Sequence, residues 1–123
     1  MTGDRAARPG VMIVMTDIPP EEEARFNEWY DTEHVPERVA IDGVRGARRF
    51  VRYDDAPQPA VGTVAAARGP RYVVIYELDD LSVLHGDWAE LAAQHSDLSR
   101  LMYPHLTNLT REVFELIGSF GDV

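Results

Sequence analysis

The sequence contains no cysteine among its 123 residues. Disulfide bonds, thiol nucleophiles and thiolate metal ligands are therefore excluded. It also lacks any apolar run that approaches the roughly 20 residues needed by a membrane-spanning helix. Its first ten residues contain no apolar segment of the kind found in secretory signals, so we expect a cytoplasmic protein with no membrane span.

A glycine-rich loop is missing between the first predicted strand and the helix that follows it. The connection reads Asp17-Ile18-Pro19-Pro20, and prolines lack the backbone N–H groups that would hold a phosphate. We therefore expect no nucleotide cofactor. No two of the four histidines are spaced four residues apart, as a helical metal site requires, so we expect no metal either.

Positive charge is scarce relative to negative charge. Arginine and lysine together number 12 against 21 acidic residues, which gives a formal net charge of −9. Such a chain repels a phosphate backbone and an anionic lipid surface, so we expect neither nucleic acid nor membrane as a partner. The length is that of one ordinary domain with a single core.

Four apolar runs rich in β-branched residues predict four strands, and two stretches with helical spacing predict two helices. The first helix should begin after Pro19-Pro20 and end near His34, because Pro36 disfavours the α conformation at Val35. The second should be capped by Asp79-Asp80 or Ser82 and reach His95, before an irregular stretch at 98–106. The predicted strands are 11–16, 47–53, 72–78 and 109–117.

The resulting order βαββαβ predicts an α+β fold of ferredoxin-like plan. In that plan a four-stranded antiparallel sheet carries both helices on one face. We expect a flexible N-terminal tail at 1–9 and one domain at 10–118. A stretch at 54–70 is rich in alanine, glycine and proline and predicts a long loop, either mobile or a lid.

The predicted strands are apolar on both faces rather than alternating. In the first strand, Val11, Ile13 and Met15 point one way, and Met12 and Val14 point the other way. Helices cover only one face of such a sheet, and a large uncovered apolar face is uncommon in a monomer. We therefore predict a homodimer that packs sheet against sheet around a barrel-like core.

The segment WYDTEHVP at 29–36 is the densest group of chemistry-bearing residues. Trp29 and Tyr30 supply aromatic rings, Asp31 and Glu33 supply carboxylates, and His34 supplies an imidazole near the predicted helix end. An imidazole beside a carboxylate at that position can be poised for general acid–base catalysis. It can equally serve only to cap the helix C-terminus.

Other candidate site residues are more widely spaced. Tyr72 and Tyr76 lie four apart on one face of the third strand and can donate hydrogen bonds to a carbonyl or phenol, although tyrosines at such positions are often core residues. Trp88 can form the wall of an apolar pocket or pack in the core. The arginines of the second strand can pair with Glu77 or with a substrate carboxylate; they are Arg48, Arg49 and Arg52.

The pattern W-x4-H-x-P, formed by Trp29, His34 and Pro36, resembles the first-helix motif of EthD-like proteins. The similarity extends to the element order over roughly residues 10–118, whereas the long stretch at 54–70 departs from it. The resemblance implies a dimeric α/β barrel of ferredoxin-like fold, a group that includes polyketide cyclases, muconolactone isomerases and cofactor-free monooxygenases. It also implies a ligand cavity between sheet and helices, with His34 facing it.

Together these observations predict a cofactor-independent acid–base enzyme acting on a small, oxygenated, largely apolar molecule such as a polyketide-like compound. The reaction would be a cyclisation, dehydration, isomerisation or decarboxylation. Predicted catalytic residues are His34, Asp31 and Tyr72; predicted substrate-binding residues are Trp29, Tyr30, Tyr76 and Trp88. Three alternatives stay open: a cofactor-free monooxygenase on an electron-rich aromatic, a non-catalytic small-molecule-binding accessory protein, and a purely structural dimer.

Overall fold

The computed structural model describes residues 6–55 and 69–123. Residues 56–68, which make up most of the predicted loop at 54–70, lie outside the described residues. So do the first five residues of the predicted tail at 1–9.

Four antiparallel strands form one sheet in the order β2-β3-β1-β4. Each predicted strand is present, and β3 has the predicted bounds. The second strand begins three residues earlier than predicted, because Gly43 adopts a φ of 96° that turns the chain directly into it. The strands are β1 Gly10–Asp17, β2 Val44–Val51, β3 Tyr72–Leu78 and β4 Thr107–Glu115.

The first helical segment runs past the end that the sequence predicts. A short 3₁₀ turn at Pro20–Glu22 leads into α1 (Glu23–Trp29), a π-helical turn (Tyr30–His34) and α2 (Val35–Val39) without interruption.

The prediction that this helix ends near His34 is wrong, since Val35 is helical at φ −70° and ψ −45°. Its N–H donates to the carbonyl of Tyr30, five residues back. In an α-helix, Pro36 would clash with the carbonyl four residues earlier, and the wider π turn relieves that clash.

The second helical segment is divided rather than continuous. It contains a 3₁₀ turn (Leu81–His85), α3 (Asp87–Ala92), α4 (Asp97–Met102) and a second 3₁₀ turn (Tyr103–His105). The predicted cap is present, since the Asp80 side chain accepts from the Ser82 N–H. The stretch at 98–106, predicted to be irregular, contains most of α4, because the Ser96 hydroxyl accepts from the Ser99 N–H and caps a new helix.

The hydrophobic core lies between the sheet and the helices and has two parts. One part of the core centres on Met12, Val74, Tyr76, Leu78 and Trp88, and the other on Phe26, Trp29, Tyr30, Tyr72 and Met102.

In the described part of the chain, no helix is both long and apolar enough to cross a membrane.

Candidate functional site

A cavity of about 240 Å³ lies between the helix-covered face of the sheet and the helical segments. This volume is slightly below the range of about 300–1,000 Å³ typical of pockets for drug-sized ligands, so it suits a small molecule. The π turn, α2, α3, the last 3₁₀ turn and strands β1, β3 and β4 all contribute to its wall. Its lining residues are Met12, Val14, Tyr30, His34, Arg38, Tyr76, Trp88, Ala92, Tyr103, Leu106, Leu109 and Arg111.

His34 enters this cavity from the π turn and is 8% exposed. Its imidazole packs among aromatic rings, with ring centroids 4.7 Å from Trp29, 4.9 Å from Tyr30 and 5.8 Å from Tyr103. The Nδ1 atom is buried and has no hydrogen-bond partner among the described residues. Buried polar atoms are normally paired, so this exception marks His34 as a candidate functional residue.

The surroundings of His34 keep its imidazole neutral. Burial lowers its pKa from 6.5 to about 3, and the positive charge of Arg38 and the neighbouring His95 act in the same direction. The base form therefore dominates throughout the physiological pH range. This neutral ring can accept a proton without first losing one.

Three tyrosine hydroxyls border the same space and stay protonated. Burial is the main cause that raises the pKa of Tyr30 to about 12, and it raises the pKa values of Tyr76 and Tyr103 in the same direction. Their hydroxyls are therefore hydrogen-bond donors at neutral pH. Donors of this kind can stabilise negative charge that develops on a ligand oxygen.

Most of the residues predicted for the site are brought together. His34, Tyr30, Tyr76 and Trp88 all line the cavity, and the rings of Tyr76 and Trp88 meet edge to face at 4.9 Å. Trp29 lies behind His34 rather than in the wall of the cavity. Its Nε1 donates to the buried Ser99 hydroxyl at 3.1 Å, which fixes the indole against the imidazole.

Asp31 lies apart from the imidazole it was predicted to orient. Its carboxylate is exposed and pairs with Arg49 of β2, with 2.6 Å between Oδ1 and Nη1. The π turn winds more residues per turn than an α-helix, so Asp31 falls off the face that carries His34. The ion pair fastens the helix to β2 instead.

Tyr72 also lies apart from His34. Its hydroxyl donates to the carboxylate of Glu23, and its ring packs on Phe26 in the other part of the core. Tyr72 and Tyr76 share a face, but four residues of strand separate them by roughly 13 Å. Only Tyr76 therefore reaches the cavity.

Three polar residues of the cavity wall were missed by the sequence prediction: Arg38, Tyr103 and Arg111. Arg38 follows His34 by four residues, which is the spacing of neighbours on one helical face, so the helix signal could have found it had the helix not been ended at His34. Tyr103 fell in the stretch predicted to be irregular. Arg111 shares a face of β4 with Leu109 and Val113, and this spacing of two residues was a usable signal.

The predicted pairing of a β2 arginine with Glu77 is present, since Arg48 Nη2 lies 3.5 Å from Glu77 Oε1. This pair lies on the sheet face that the helices leave uncovered, away from the cavity. Within residues 6–55 and 69–123, no three His, Asp or Glu side chains form a group that could hold a metal ion.

Comparison with known proteins places the fold. No family model matches the chain, and no curated protein matches its sequence. Among solved structures, the chain is similar to an EthD family protein from Bacillus halodurans, with 19% identity and a TM-score of 0.50 over 88% of this chain and 99% of the other. This likeness confirms the predicted EthD-like resemblance at the level of the ferredoxin-like α+β fold.

Proposed function

We propose that this protein is a cofactor-independent acid–base enzyme that transfers a proton at a carbon next to a carbonyl or phenol of a small, largely apolar molecule. The observation that carries the proposal is the neutral imidazole of His34, whose Nδ1 has no partner among the described residues, in the wall of a cavity bordered by tyrosines. His34 is the general base, and the tyrosines donate to the substrate oxygen.

The arrangement matches the needs of enolisation. Removing a proton from carbon places negative charge on the adjacent oxygen, and that charge must be stabilised as it develops. Tyr30 and Tyr76 line the cavity, and their hydroxyls would donate to this oxygen. The apolar remainder of the wall excludes water from the reacting carbon.

Covalent catalysis has few candidates in this chain. The sequence contains neither lysine nor cysteine, so a Schiff base and a thioester are excluded. The buried Ser99 hydroxyl already accepts from Trp29 and lies 3.1 Å from the Ser96 hydroxyl, so it is held as a structural group. Proton transfer by His34 therefore accounts best for the chemistry of the cavity.

Exchange of carbon-bound hydrogen for deuterium tests the proposal without knowledge of the natural substrate. The protein is incubated in D₂O, without oxygen, with a panel of small cyclic ketones, diketones and phenols, and exchange next to the oxygen-bearing carbon is followed by NMR. We expect protein-dependent exchange for at least one class in the panel. The absence of exchange for every compound that binds in the cavity would contradict the enzyme.

The same assay distinguishes the alternatives. Turnover that requires oxygen would identify a cofactor-free monooxygenase. Saturable binding with no exchange and no oxygen uptake would identify a non-catalytic binding protein. The absence of any binding would leave a structural dimer.

We also propose a homodimer formed through the sheet face that the helices leave uncovered. Cross-strand pairing places seven apolar side chains on this face. Those of β1 are half-buried, while Phe50 and Phe114 at its margins are 46% and 47% exposed. A second copy supplies the simplest cover for so apolar a face. The seven residues are Val11, Ile13, Met15, Phe50, Val73, Ile75 and Phe114.

Replacing Ile13 with glutamate is expected to convert the dimer into a monomer of 13.8 kDa at micromolar concentration. Ile13 pairs with Ile75 on one side and Glu112 on the other, at the centre of the uncovered face, where a new charge would be buried without a partner. Size-exclusion chromatography with light scattering measures the mass. The matched control is Leu101→Glu. The Leu101 side chain is exposed on α4, so this variant should stay dimeric. A monomeric wild-type protein would rule out the dimer.

A further inference from the structure

We propose that the ligand of the cavity carries a carboxylate, which is bound by Arg38 together with Arg111. The inference rests on the proposed function and narrows its substrate class to small cyclic or aromatic carboxylates. It starts from the charge of the cavity wall: both charged residues in the lining are arginines, and no aspartate or glutamate is among the lining residues. In a chain of net charge −9, this is a local reversal of sign.

Of the two arginines, Arg38 gives the stronger support for a bound carboxylate. It is 6% exposed, and its nearest carboxylate is that of the adjacent Glu37, with 3.6 Å between Nη1 and Oε2. Its guanidinium lies over the ring of Trp88, 5.7 Å from the centroid. Among the described residues it makes no side-chain hydrogen bond, although a guanidinium offers five donors.

Three other arginines of the described chain form close ion pairs with carboxylates. Arg49 lies 2.6 Å from Asp31, and Arg45 and Arg71 have carboxylate oxygens at about 3 Å. Those pairs lie on the protein surface, where solvation is also available. A guanidinium that borders a cavity without a carboxylate at close hydrogen-bond distance is suited to an anion that arrives with the ligand.

Arg111 lines the same cavity from the sheet, whereas Arg38 lines it from α2. It projects from β4, and no described carboxylate lies within ion-pair distance of it. Arg38, Arg111 and Tyr103 all line this one cavity. Two guanidinium groups and a hydroxyl donor in the wall of one cavity form a binding site for a carboxylate.

The rest of the wall sets the shape of the ligand. Met12, Val14, Ala92, Leu106 and the Trp88 ring offer apolar contacts to a small body, in a volume of about 240 Å³. A ring with one carboxylate therefore satisfies both ends of the site. It also leaves the imidazole of His34, which lines the same cavity, beside the carbon framework.

Calorimetric titration with benzoate and with its neutral counterpart benzamide tests the inference on the full chain. We expect wild-type protein to bind benzoate at least about tenfold more tightly than benzamide. Arg38→Gln should weaken benzoate about 10- to 100-fold, as expected for the loss of hydrogen bonds to a charged group, and leave benzamide nearly unchanged. Arg111→Gln should weaken benzoate by a smaller factor.

Two further variants keep the test decisive. Arg38→Lys keeps the charge but loses the planar fork, and it should bind benzoate with an affinity between those of wild type and Arg38→Gln. Arg45→Gln removes an exposed cation distant from the cavity and should bind both probes like wild type. Unchanged benzamide binding shows that the cavity of each variant is intact.

The outcomes separate this inference from the proposed function. Equal affinity for benzoate and benzamide in wild type, or unchanged benzoate affinity in Arg38→Gln, would overturn the proposed carboxylate-binding role of Arg38. Proton exchange on neutral carbonyl compounds would survive either result. If neither probe binds at millimolar concentration and no compound undergoes exchange, both the inference and the proposed function fail.

Discussion

Replacing His34 with glutamine is expected to lower the rate of proton exchange by about 10²- to 10⁴-fold, the contribution usual for a general base. Glutamine keeps a polar side chain of similar length but cannot take up a proton at neutral pH. The exchange assay in D₂O measures the rate. His85→Gln, at an exposed position, is the matched control and should exchange at the wild-type rate. Wild-type exchange in His34→Gln would remove the mechanism.

His34→Leu extends the same prediction to stability. The buried Nδ1 lacks a partner, so replacing the imidazole with an apolar side chain removes an unsatisfied polar atom from the interior. The free energy of unfolding at pH 7 should therefore stay near the wild-type value or rise, while exchange is lost. Loss of activity together with gain of stability is the pattern expected of a functional residue and is not expected of a helix cap.

Features that depend on neighbouring residues in the sequence could be predicted from it. The strand at 72–78 was predicted with its observed bounds, because a β-branched and aromatic run begins at Tyr72 and the two aspartates at 79 and 80 end the strand pattern. The order of elements then fixed the sheet and the side that carries the helices. Tyr30, Tyr76 and Trp88 were predicted from the spacing of residues along helix and strand, whereas the placement of His34 in a cavity was implied by the resemblance to EthD-like proteins.

The backbone conformation near Pro36 could not be predicted from the sequence, and this limited the prediction of the remaining site residues. A proline rule that holds for α-helices ended the helix too early, whereas a π turn carried it on to Val39. One residue of helix rotates a side chain by about 100°, so the partner of His34 could not be chosen from spacing alone. Asp31 was selected on that basis and instead pairs with Arg49, while Arg38, one turn beyond the supposed helix end, was left out.

Acid is expected to destabilise the wild-type protein through His34. Its pKa is about 3 in the folded chain and 6.5 when unfolded, so the unfolded state binds a proton first as the pH falls. The associated stability is fully present above pH 6.5 and is lost as the pH falls toward the folded value. One such group accounts for about 2–3 kcal/mol between pH 7 and pH 4.5, taking about 1.4 kcal/mol per pH unit.

Comparison with His34→Leu isolates this contribution. Carboxylates whose pKa values are lowered in the fold, such as Asp17 and Glu115, also lose stability in acid, but they do so below their ordinary values near pH 4 and equally in both proteins. Urea unfolding, followed by tryptophan fluorescence at fixed protein concentration, gives both free energies at each pH. The wild-type value should fall relative to the variant by about 2–3 kcal/mol from pH 7 to pH 4.5. A difference that is independent of pH would mean that His34 titrates normally in the fold. In that case the imidazole opens to water, and its role as a buried general base is lost.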